Sequence, residues 1–239
     1  MSVRARRTRI LGVAGAVLLM AGVIAVLIAV RGQRSAPQPP PAAASPVNVI
    51  PTATPSAPGS AVPGPTRTPG SSPAAGPKTR GPILAHSIPM RLQIPAINVD
   101  STLNQIGLDG KGEISTPPLA KDSHAYWLTV SPAPGQLGPS TIIGHVDSAA
   151  YGPGVFFKLG ALRQRDTISI GRADGAVAVF EVERVVEYPK AQFPTQAVYG
   201  NIDHAGLRLI TCGGLFNPSQ HSYESNLVVY ASLVSSHHT

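Results

Sequence analysis

Fourteen of the 25 prolines lie between residues 32 and 82, and this concentration limits where the chain can form a folded core. Ala, Ser, Thr and Gly fill most of the same stretch, which contains the triplet Pro39-Pro40-Pro41. Such a composition buries little apolar surface and favours extended, polyproline-like backbone. We therefore predict a disordered linker over residues 31–84 and a single folded domain over residues 85–239.

An apolar run precedes the linker. Residues 10–30 carry no charged or polar side chain, and their 21 residues would make a helix of about 31 Å, enough to span a hydrocarbon core. Four arginines before the run predict a cytoplasmic basic segment over residues 1–9. The alternative is a cleaved signal peptide, whose apolar region is usually about 7–15 residues long and ends in a small-x-small site. The sequence favours an uncleaved, single-pass membrane anchor with everything after it outside the cell membrane.

Charge and cysteine content exclude several functional classes. The net charge of +7 divides into +10 for residues 1–99 and −3 for residues 100–239, because the first acidic residue is Asp100. A slightly acidic folded part argues against a nucleic-acid surface. The single cysteine excludes an internal disulfide and any multi-cysteine metal cluster. The acidic residues are scattered along the sequence, so we predict no metal site and no cofactor.

The folded part has the pattern of an all-β domain. Short segments alternate apolar and polar residues, as in Asp166-Thr-Ile168-Ser-Ile170, and Asp174-Gly175 predicts a hairpin turn into Val177-Ala-Val179. Val185-Val186 is predicted as a further, separate strand. Seven or eight strands of this kind predict a single barrel or sandwich. Only residues 155–162 have a pattern suited to a short helical segment.

Two residues stand out as candidates for chemistry. Cys212 follows the apolar run Leu207-Arg-Leu-Ile-Thr211 and precedes Gly213-Gly214, so we expect the strand to end at the thiol and a glycine turn to expose backbone N–H groups there. His145 follows Thr141-Ile-Ile-Gly144 and should also lie at a strand end. A free cysteine is often buried and inert, and a lone histidine is more often structural than catalytic. A thiol nucleophile, however, requires a base of this type.

These residues stand in segments that resemble the sortases. Leu209-Ile-Thr211-Cys212 is similar to the sortase cysteine signature, and Ile143-Gly144-His145-Val146-Asp147 is similar to the catalytic-histidine segment. The resemblance covers about residues 89–233, and its further matches are Ile94-Pro95-Ala-Ile97, Pro134-Gly135 through Gly138-Pro139, Val155-Phe156-Phe157, Tyr188-Pro-Lys190, Phe193-Pro-Thr195, Val198-Tyr199-Gly200 and Asn226-Leu-Val-Val-Tyr230-Ala. Cys212-Gly-Gly and Tyr223-x-x-Asn226 are most similar to class F sortases of actinobacteria.

The resemblance implies an eight-stranded β-barrel with one or two short helices and a cysteine transpeptidase activity. Cys212 would be the nucleophile that forms an acyl-thioester, and His145 the general acid and base. The implied partners are secreted proteins with a Leu-Pro-x-Thr-Gly-like signal and an amine acceptor from peptidoglycan precursor or pilin. Asp147 is a candidate for orienting the histidine loop. The candidate oxyanion or substrate contacts are Thr211, Gly213, Asn226, Tyr223, His221 and Arg208.

The sequence departs from the family at one catalytic position. Sortases carry an arginine on the strand after the cysteine loop, but residues 213–239 contain no Arg and no Lys. Glu224 lies about where that arginine would be, and a carboxylate accepts hydrogen bonds where donors are needed. Other donors would have to substitute, Arg208 among them, or the reaction would be slower.

Two alternative functions remain open at this stage. One is another cell-wall cysteine acyl-transferase, such as an L,D-transpeptidase, in which the histidine and a Ser-x-Gly-Cys segment lie close together in sequence. Here His145 and Cys212 are 67 residues apart. The other is a catalytically impaired relative that binds sorting-signal peptides, which the missing arginine alone supports.

Overall fold

The computed structural model of this chain describes residues 79–238. The predicted membrane span at residues 10–30 and nearly all of the predicted linker lie outside the described residues. Within residues 79–238, no helix is both long and apolar enough to cross a lipid bilayer.

Eight strands close into a barrel, which confirms the predicted all-β fold. The order around the barrel is β1, β2, β3, β4, β9, β10, β8 and β7, and a separate two-stranded sheet contains β5 and β6. The strands are β1 (Pro89–Ile94), β2 (Val99–Ile106), β3 (Ala125–Leu128), β4 (Gly138–Ile143), β5 (Asp147–Ser148), β6 (Gly152–Pro153), β7 (Thr167–Arg172), β8 (Ala176–Pro189), β9 (Ala205–Asn217) and β10 (Ser222–His238).

The hairpin of β7 and β8 forms where the alternating pattern and the Asp174-Gly175 turn predict it. Gly175 has φ +79°, a left-handed conformation that suits glycine at such a turn. The prediction of Val185-Val186 as a separate strand is wrong, because β8 continues from Ala176 to Pro189. Its register against β10 shifts between Val182 and Arg184, and this bulge interrupts the sequence alternation without ending the strand.

The core fills the barrel interior and explains the direction of side chains on β9. Leu207 and Leu209 are fully buried in the interior cluster, whereas Ile210 belongs to a second cluster on the outer face. Side chains along a strand alternate between the two faces. Cys212 shares the parity of Ile210, so its side chain points to the outer face of the barrel.

The second cluster is covered by the connection between β8 and β9. This connection contains a 3₁₀ turn (Lys190–Gln192) and a five-residue helix α1 (Thr195–Tyr199). Val198 of α1 is buried in the second cluster together with Tyr188 and Tyr230. The sequence did not predict α1, because five residues after Pro194 are too short to show helical periodicity.

Two further 3₁₀ turns complete the secondary structure, at Pro95–Ile97 and Leu159–Ala161. The second lies within residues 155–162, the segment predicted to be helical, and is shorter than that prediction. Trp127 and Phe156 are buried in the interior cluster and close the barrel around it.

Candidate active site

Cys212 lies inside β9 and not at its end. The sequence predicted that the strand stops at the thiol, but β9 continues to Asn217 in an extended hairpin with β10. The reason is that Gly214, at φ +75°, is accommodated as a bulge, and the register against β10 shifts between Tyr223 and Ser225. Cys212 is thus held between two neighbouring strands, with Asn226 as its partner on β10.

The end of β4 brings His145 beside the thiol. β4 runs parallel to β9, and their last register pair joins Ile143 to Ile210. The N–H of Gly144 donates to the carbonyl oxygen of Ile210 over 3.2 Å, so the pairing continues for one more residue. His145 then stands two positions after Ile143, as Cys212 stands two positions after Ile210. Adjacent strands lie about 4.8 Å apart, so a continuation of this register past the end of β4 would bring His145 and Cys212 to neighbouring positions.

Thr211 locks this arrangement from the neighbouring position. Its hydroxyl donates a hydrogen bond of 2.8 Å to the carbonyl oxygen of Gly144, and the side chain is buried. Gly144 itself has no room for a side chain, since a Cβ there would lie 2.6 Å from Val155. Thr211, which the sequence analysis named as a candidate oxyanion or substrate contact, thus has its hydroxyl bound to the backbone before His145.

The imidazole of His145 is oriented by a backbone carbonyl. Its Nε2 lies 2.8 Å from the carbonyl oxygen of Pro117, in the loop between β2 and β3. Because a carbonyl oxygen can only accept, Nε2 carries a hydrogen and donates it. The remaining nitrogen, Nδ1, is the one left to exchange a proton. Gly154 packs on the histidine backbone so closely that a Cβ there would lie 2.3 Å from the carbonyl oxygen of His145.

The protein environment favours the neutral form of the Cys212 thiol. Burial raises its pKa, and the carboxylate of Asp147 raises it further. The ammonium group of Lys190 acts in the opposite direction and lowers the pKa of the thiol. A thiol of this kind needs a base or a nearby positive charge to become a nucleophile.

Asp147 is bound to Tyr223 across the site. The Tyr223 hydroxyl donates to Oδ2 of Asp147 over 2.5 Å, and this bond joins β10 to β5, just after His145. Burial, followed by the hydrogen bond to Asp147, raises the pKa of Tyr223, so the phenol stays protonated and remains a donor. Phe216 packs edge-on against the Tyr223 ring with 5.2 Å between the ring centroids.

The remaining residues of this hairpin differ in burial and in position along β9 and β10. Gly213 is buried and pairs with Ser225 on β10, next to the thiol. His221 is exposed, with φ +48°, at the turn that joins β9 to β10. Glu224 is also exposed, and its Oε1 accepts a bond of 3.5 Å from the Asn217 amide.

Arg208 is engaged elsewhere on the outer face. Its guanidinium donates to the carbonyl oxygens of Val198 at 3.3 Å and Leu207 at 3.1 Å, and it stacks on the Tyr230 ring at 4.5 Å. Burial lowers the pKa of this guanidinium. These contacts are those of a residue packed beneath α1, four positions along β9 from the thiol.

Lys190 is an exposed, positively charged residue that the sequence analysis did not select and whose charge lowers the pKa of Cys212. Its Nζ donates to the Ser222 hydroxyl over 2.8 Å, at the start of β10. Two signals in the sequence pointed to it: Lys190 ends the segment Tyr188-Pro-Lys190, and it is the only Lys or Arg between Arg184 and Arg208.

A shallow cleft opens on the histidine side of the site. Its lining includes His145, Asp147, Ser123, Leu119 and Tyr151, and Cys212 does not contribute to it. The Ser123 hydroxyl is buried there without a hydrogen-bond partner. Across residues 79–238, no three His, Cys, Asp or Glu side chains converge to hold a metal ion.

Comparison with known families identifies the fold and its chemistry. Residues 92–234 match the family model of the sortase domain, which covers more than half of the chain. The chain belongs to the sortase family. Sortases are cysteine transpeptidases that act on proteins bearing sorting signals and on pilins, generally at the membrane and cell wall.

Solved sortase structures resemble the chain at low sequence identity. Sortase A from Corynebacterium diphtheriae, in a lid mutant, is 20% identical, with 63% of this chain and 73% of that chain covered and a TM-score of 0.48. Sortase A from Listeria monocytogenes is 15% identical over 64% and 92% of the two chains, with a TM-score of 0.48. A Clostridium perfringens sortase D5 transpeptidase is 18% identical over 62% and 79%, with a TM-score of 0.45. A comparison with curated protein sequences found no match.

Proposed function

We propose that this sortase is a membrane-anchored transpeptidase of the class F type. It would cleave a Leu-Pro-x-Thr-Gly-like signal on a secreted protein and join the new carboxyl end to an amine of the cell wall. The observation that carries the proposal is the parallel register of β4 and β9, whose continuation would bring His145 and Cys212 to neighbouring positions. The class F motif Cys212-Gly-Gly and the apolar run at residues 10–30 support the finer assignment.

Acylation begins with proton transfer from the Cys212 thiol to Nδ1 of His145. The thiolate attacks the carbonyl carbon of the signal's threonine, and the carbonyl electron pair moves onto oxygen. When that pair returns, the C–N bond breaks and the glycine amine leaves with the proton that His145 holds. The product is an acyl-thioester on Cys212, with His145 neutral again.

The second half-reaction transfers the acyl group to an amine. The incoming amine attacks the thioester carbon, His145 takes a proton from it, and the C–S bond breaks as the amide forms. His145 then returns that proton to the Cys212 thiolate, which restores the starting enzyme. The shallow cleft that His145 and Asp147 line lies beside this base, and the Asp147 carboxylate favours the approach of a positively charged ammonium group there.

The test is acyl-enzyme formation by the full-length chain, purified in mild detergent and mixed with a Leu-Pro-x-Thr-Gly peptide. We expect intact mass to show the thioester on the wild type and none on Cys212→Ala. His145→Asn should lower the acylation rate by about 100-fold or more, the usual range for losing a general acid and base. His237→Asn, a change at an exposed histidine near the end of β10, is the matched control and should leave the rate unchanged.

A second outcome would support the alternative of a peptide-binding, catalytically impaired protein. The lack of Arg and Lys after Cys212 and the presence of Glu224 in that region favour this alternative. Its signature would be saturable binding of the peptide without an adduct, under conditions in which iodoacetamide does alkylate Cys212.

A further inference from the structure

Acylation of Cys212 requires a hydrogen-bond donor beside the thiol. In the tetrahedral intermediate the substrate carbonyl oxygen carries a negative charge, and it forms next to a half-buried sulfur, where charge is poorly solvated. Donors directed at such an oxygen are among the largest contributions to catalysis. Residues 213–239 contain no Arg and no Lys, so the hairpin that follows the cysteine can supply only an uncharged donor or a histidine.

The strand register sets Asn226 directly opposite Cys212. The two residues are partners in the antiparallel pairing of β9 with β10, and this register is continuous from the pair of Gly213 and Ser225 onward. Residues directly opposite in an antiparallel pair have Cβ atoms about 4.5–5.5 Å apart. Asn226 is therefore the cross-strand neighbour of the nucleophile.

Both side chains project from the outer face of the barrel. Val228, two positions after Asn226, is buried in the outer cluster, whereas Leu227 between them is buried in the interior cluster. Ile210 has the same relation to Cys212. In the intermediate the carbonyl carbon is bonded to Sγ, so its oxygen is two bonds from the sulfur and within reach of a short side chain on the adjacent strand.

The amide of Asn226 is available for this oxygen. Within residues 79–238 it donates no hydrogen bond, and the residue is half-buried, so solvent reaches the amide only in part. An asparagine amide carries two N–H donors. The next residue along the row, Tyr188 on β8, does not compete for them, because its hydroxyl lies 3.0 Å from the Tyr230 hydroxyl and pairs with it.

The other candidate contacts named from the sequence are engaged elsewhere or directed away. The hydroxyls of Thr211 and Tyr223 already donate to other oxygens. The Arg208 guanidinium donates to two backbone carbonyl oxygens beneath α1. His221 is exposed at the turn of the hairpin, and Gly213 has no side chain.

We propose that Asn226 is a catalytic residue whose side-chain amide donates a hydrogen bond to the oxyanion formed from the substrate carbonyl. The amide transfers no proton: the carbonyl electron pair moves onto oxygen, is stabilised there by the N–H group, and returns when the C–N bond breaks. An uncharged donor of this kind leaves activation of the thiol to His145. This inference rests on the proposed transpeptidase function.

The experiment compares two reactions of Cys212 in the full-length chain, purified in mild detergent. Acylation by the Leu-Pro-x-Thr-Gly peptide and alkylation by iodoacetamide both need the thiolate, but only acylation forms an oxyanion. In Asn226→Leu, which has a similar size and no donor, the ratio of the acylation rate to the alkylation rate should fall by about 100-fold, the range for one lost oxyanion donor. Taking the ratio cancels any change in the ionisation of the thiol.

Two further variants make the result specific. Asn226→Asp keeps the shape and replaces the donor by an acceptor, so its ratio should be at least as low. Its negative charge beside the thiol should also move the pH midpoint of alkylation upward, which tests the position of residue 226 without any substrate. Asn201→Leu, at an exposed position in the loop before β9, is the matched control and should change neither the ratio nor the midpoint.

A ratio for Asn226→Leu that stays within about threefold of the wild type would overturn the inference, because one lost donor is expected to cost about 100-fold. An unshifted alkylation midpoint in Asn226→Asp would also overturn it, since residue 226 would then not lie beside the thiol. If Asn226→Leu does not fold, the ratio for Asn226→Asp decides. If the sorting peptide fails to acylate the wild type, the proposed function fails. Acylation by p-nitrophenyl acetate, which passes through the same oxyanion without a sorting signal, then supplies the ratio and still decides the role of Asn226.

Discussion

Thr211 connects the two reacting residues through the backbone. Its hydroxyl donates to the Gly144 carbonyl oxygen, and its own backbone continues directly into Cys212. One buried side chain therefore sets the position of the strand end that carries the base relative to the strand that carries the nucleophile. A hydroxyl is necessary for this, because valine has nearly the same shape but no donor.

Thr211→Val should reduce both stability and activity. The change leaves the buried Gly144 carbonyl without its partner, which should lower the free energy of unfolding by about 1–3 kcal/mol. It should also lower kcat for peptide cleavage more than it raises KM, because the alignment of His145 is affected and the peptide-binding surface is not. Urea denaturation and steady-state kinetics measure the two effects. Thr211→Ser keeps the donor, so failure of this variant to recover kcat would argue against the hydrogen bond as the cause.

At the scale of elements, the hairpin of β9 and β10 is tied to the strand that follows the histidine. The bond from Tyr223 to Asp147 bridges β10 and β5, and Phe216 packs on the tyrosine ring. Leu215 and Phe216 are exposed on this hairpin, three and four residues after Cys212. The tie therefore holds an exposed apolar surface next to the thiol, where a sorting peptide would have to bind.

Two substitutions at this tie should have different effects on the thiol. Tyr223→Phe removes the hydrogen bond, so amide exchange over residues 214–222 should become faster and peptide cleavage slower. Asp147→Asn keeps an acceptor for the Tyr223 hydroxyl but removes the negative charge that raises the pKa of Cys212, so the pH midpoint of thiol alkylation should shift downward. Hydrogen exchange and the pH profile of iodoacetamide alkylation measure these effects. An upward shift of the midpoint in Asp147→Asn would contradict the assigned role of the carboxylate.

Local pattern was sufficient to predict the barrel and to select Cys212 and His145 as candidates, but not to predict the electrostatics around them. Alternation and the Asp174-Gly175 turn predict strands, and the position of His145 just after a strand follows from the short apolar run before it. Lys190 was missed because its place depends on the register of β8, β10 and β9, which pairs residues far apart in sequence. The continuation of β9 past Cys212 was missed because Gly213-Gly214 predicts a turn, whereas pairing with β10 keeps the segment extended.

At the scale of the whole described domain, the segment before β1 is fastened to the barrel at the end remote from the thiol. The Arg80 side chain donates to Asp203 at 2.8 Å, just before β9 begins. Cys212 lies seven residues after Ala205, the first residue of β9, which is about 23 Å along the strand. Further along the segment, the Leu84 N–H donates to the Gly135 carbonyl oxygen, and the buried Arg172 donates to the Ala85 carbonyl oxygen. The chain thus enters the barrel at one end, and the reacting groups lie towards the other.

Arg172 is buried and Arg80 is exposed, so we expect their contributions to the free energy of unfolding to differ greatly. Arg172 is buried and donates to the carbonyl oxygens of Pro134 and Ala85, so Arg172→Met should lower the free energy of unfolding by about 2–4 kcal/mol, as expected for lost bonds to a charged donor. Arg80 is largely exposed, and water replaces its contacts to Asp203, so Arg80→Met should be close to wild type. Urea denaturation at neutral pH measures both.

The loss of folding stability at low pH provides a second, independent test of the same attachment. Hydrogen bonding to Arg172 lowers the pKa of Asp174 to about 2, whereas an unfolded aspartate titrates near 3.9. The folded state therefore binds fewer protons than the unfolded state in this window, so the contribution of Asp174 to stability is fully present above about pH 4 and is lost as pH falls through 2. Arg172→Met should remove this contribution of Asp174, whereas Arg80→Met should keep it and change only the contribution of Asp203, whose pKa Arg80 lowers. Peptide cleavage by folded Arg172→Met should stay near wild type, since the attachment lies far from Cys212. A loss of cleavage without a loss of stability would mean that this end of the barrel is coupled to the active site.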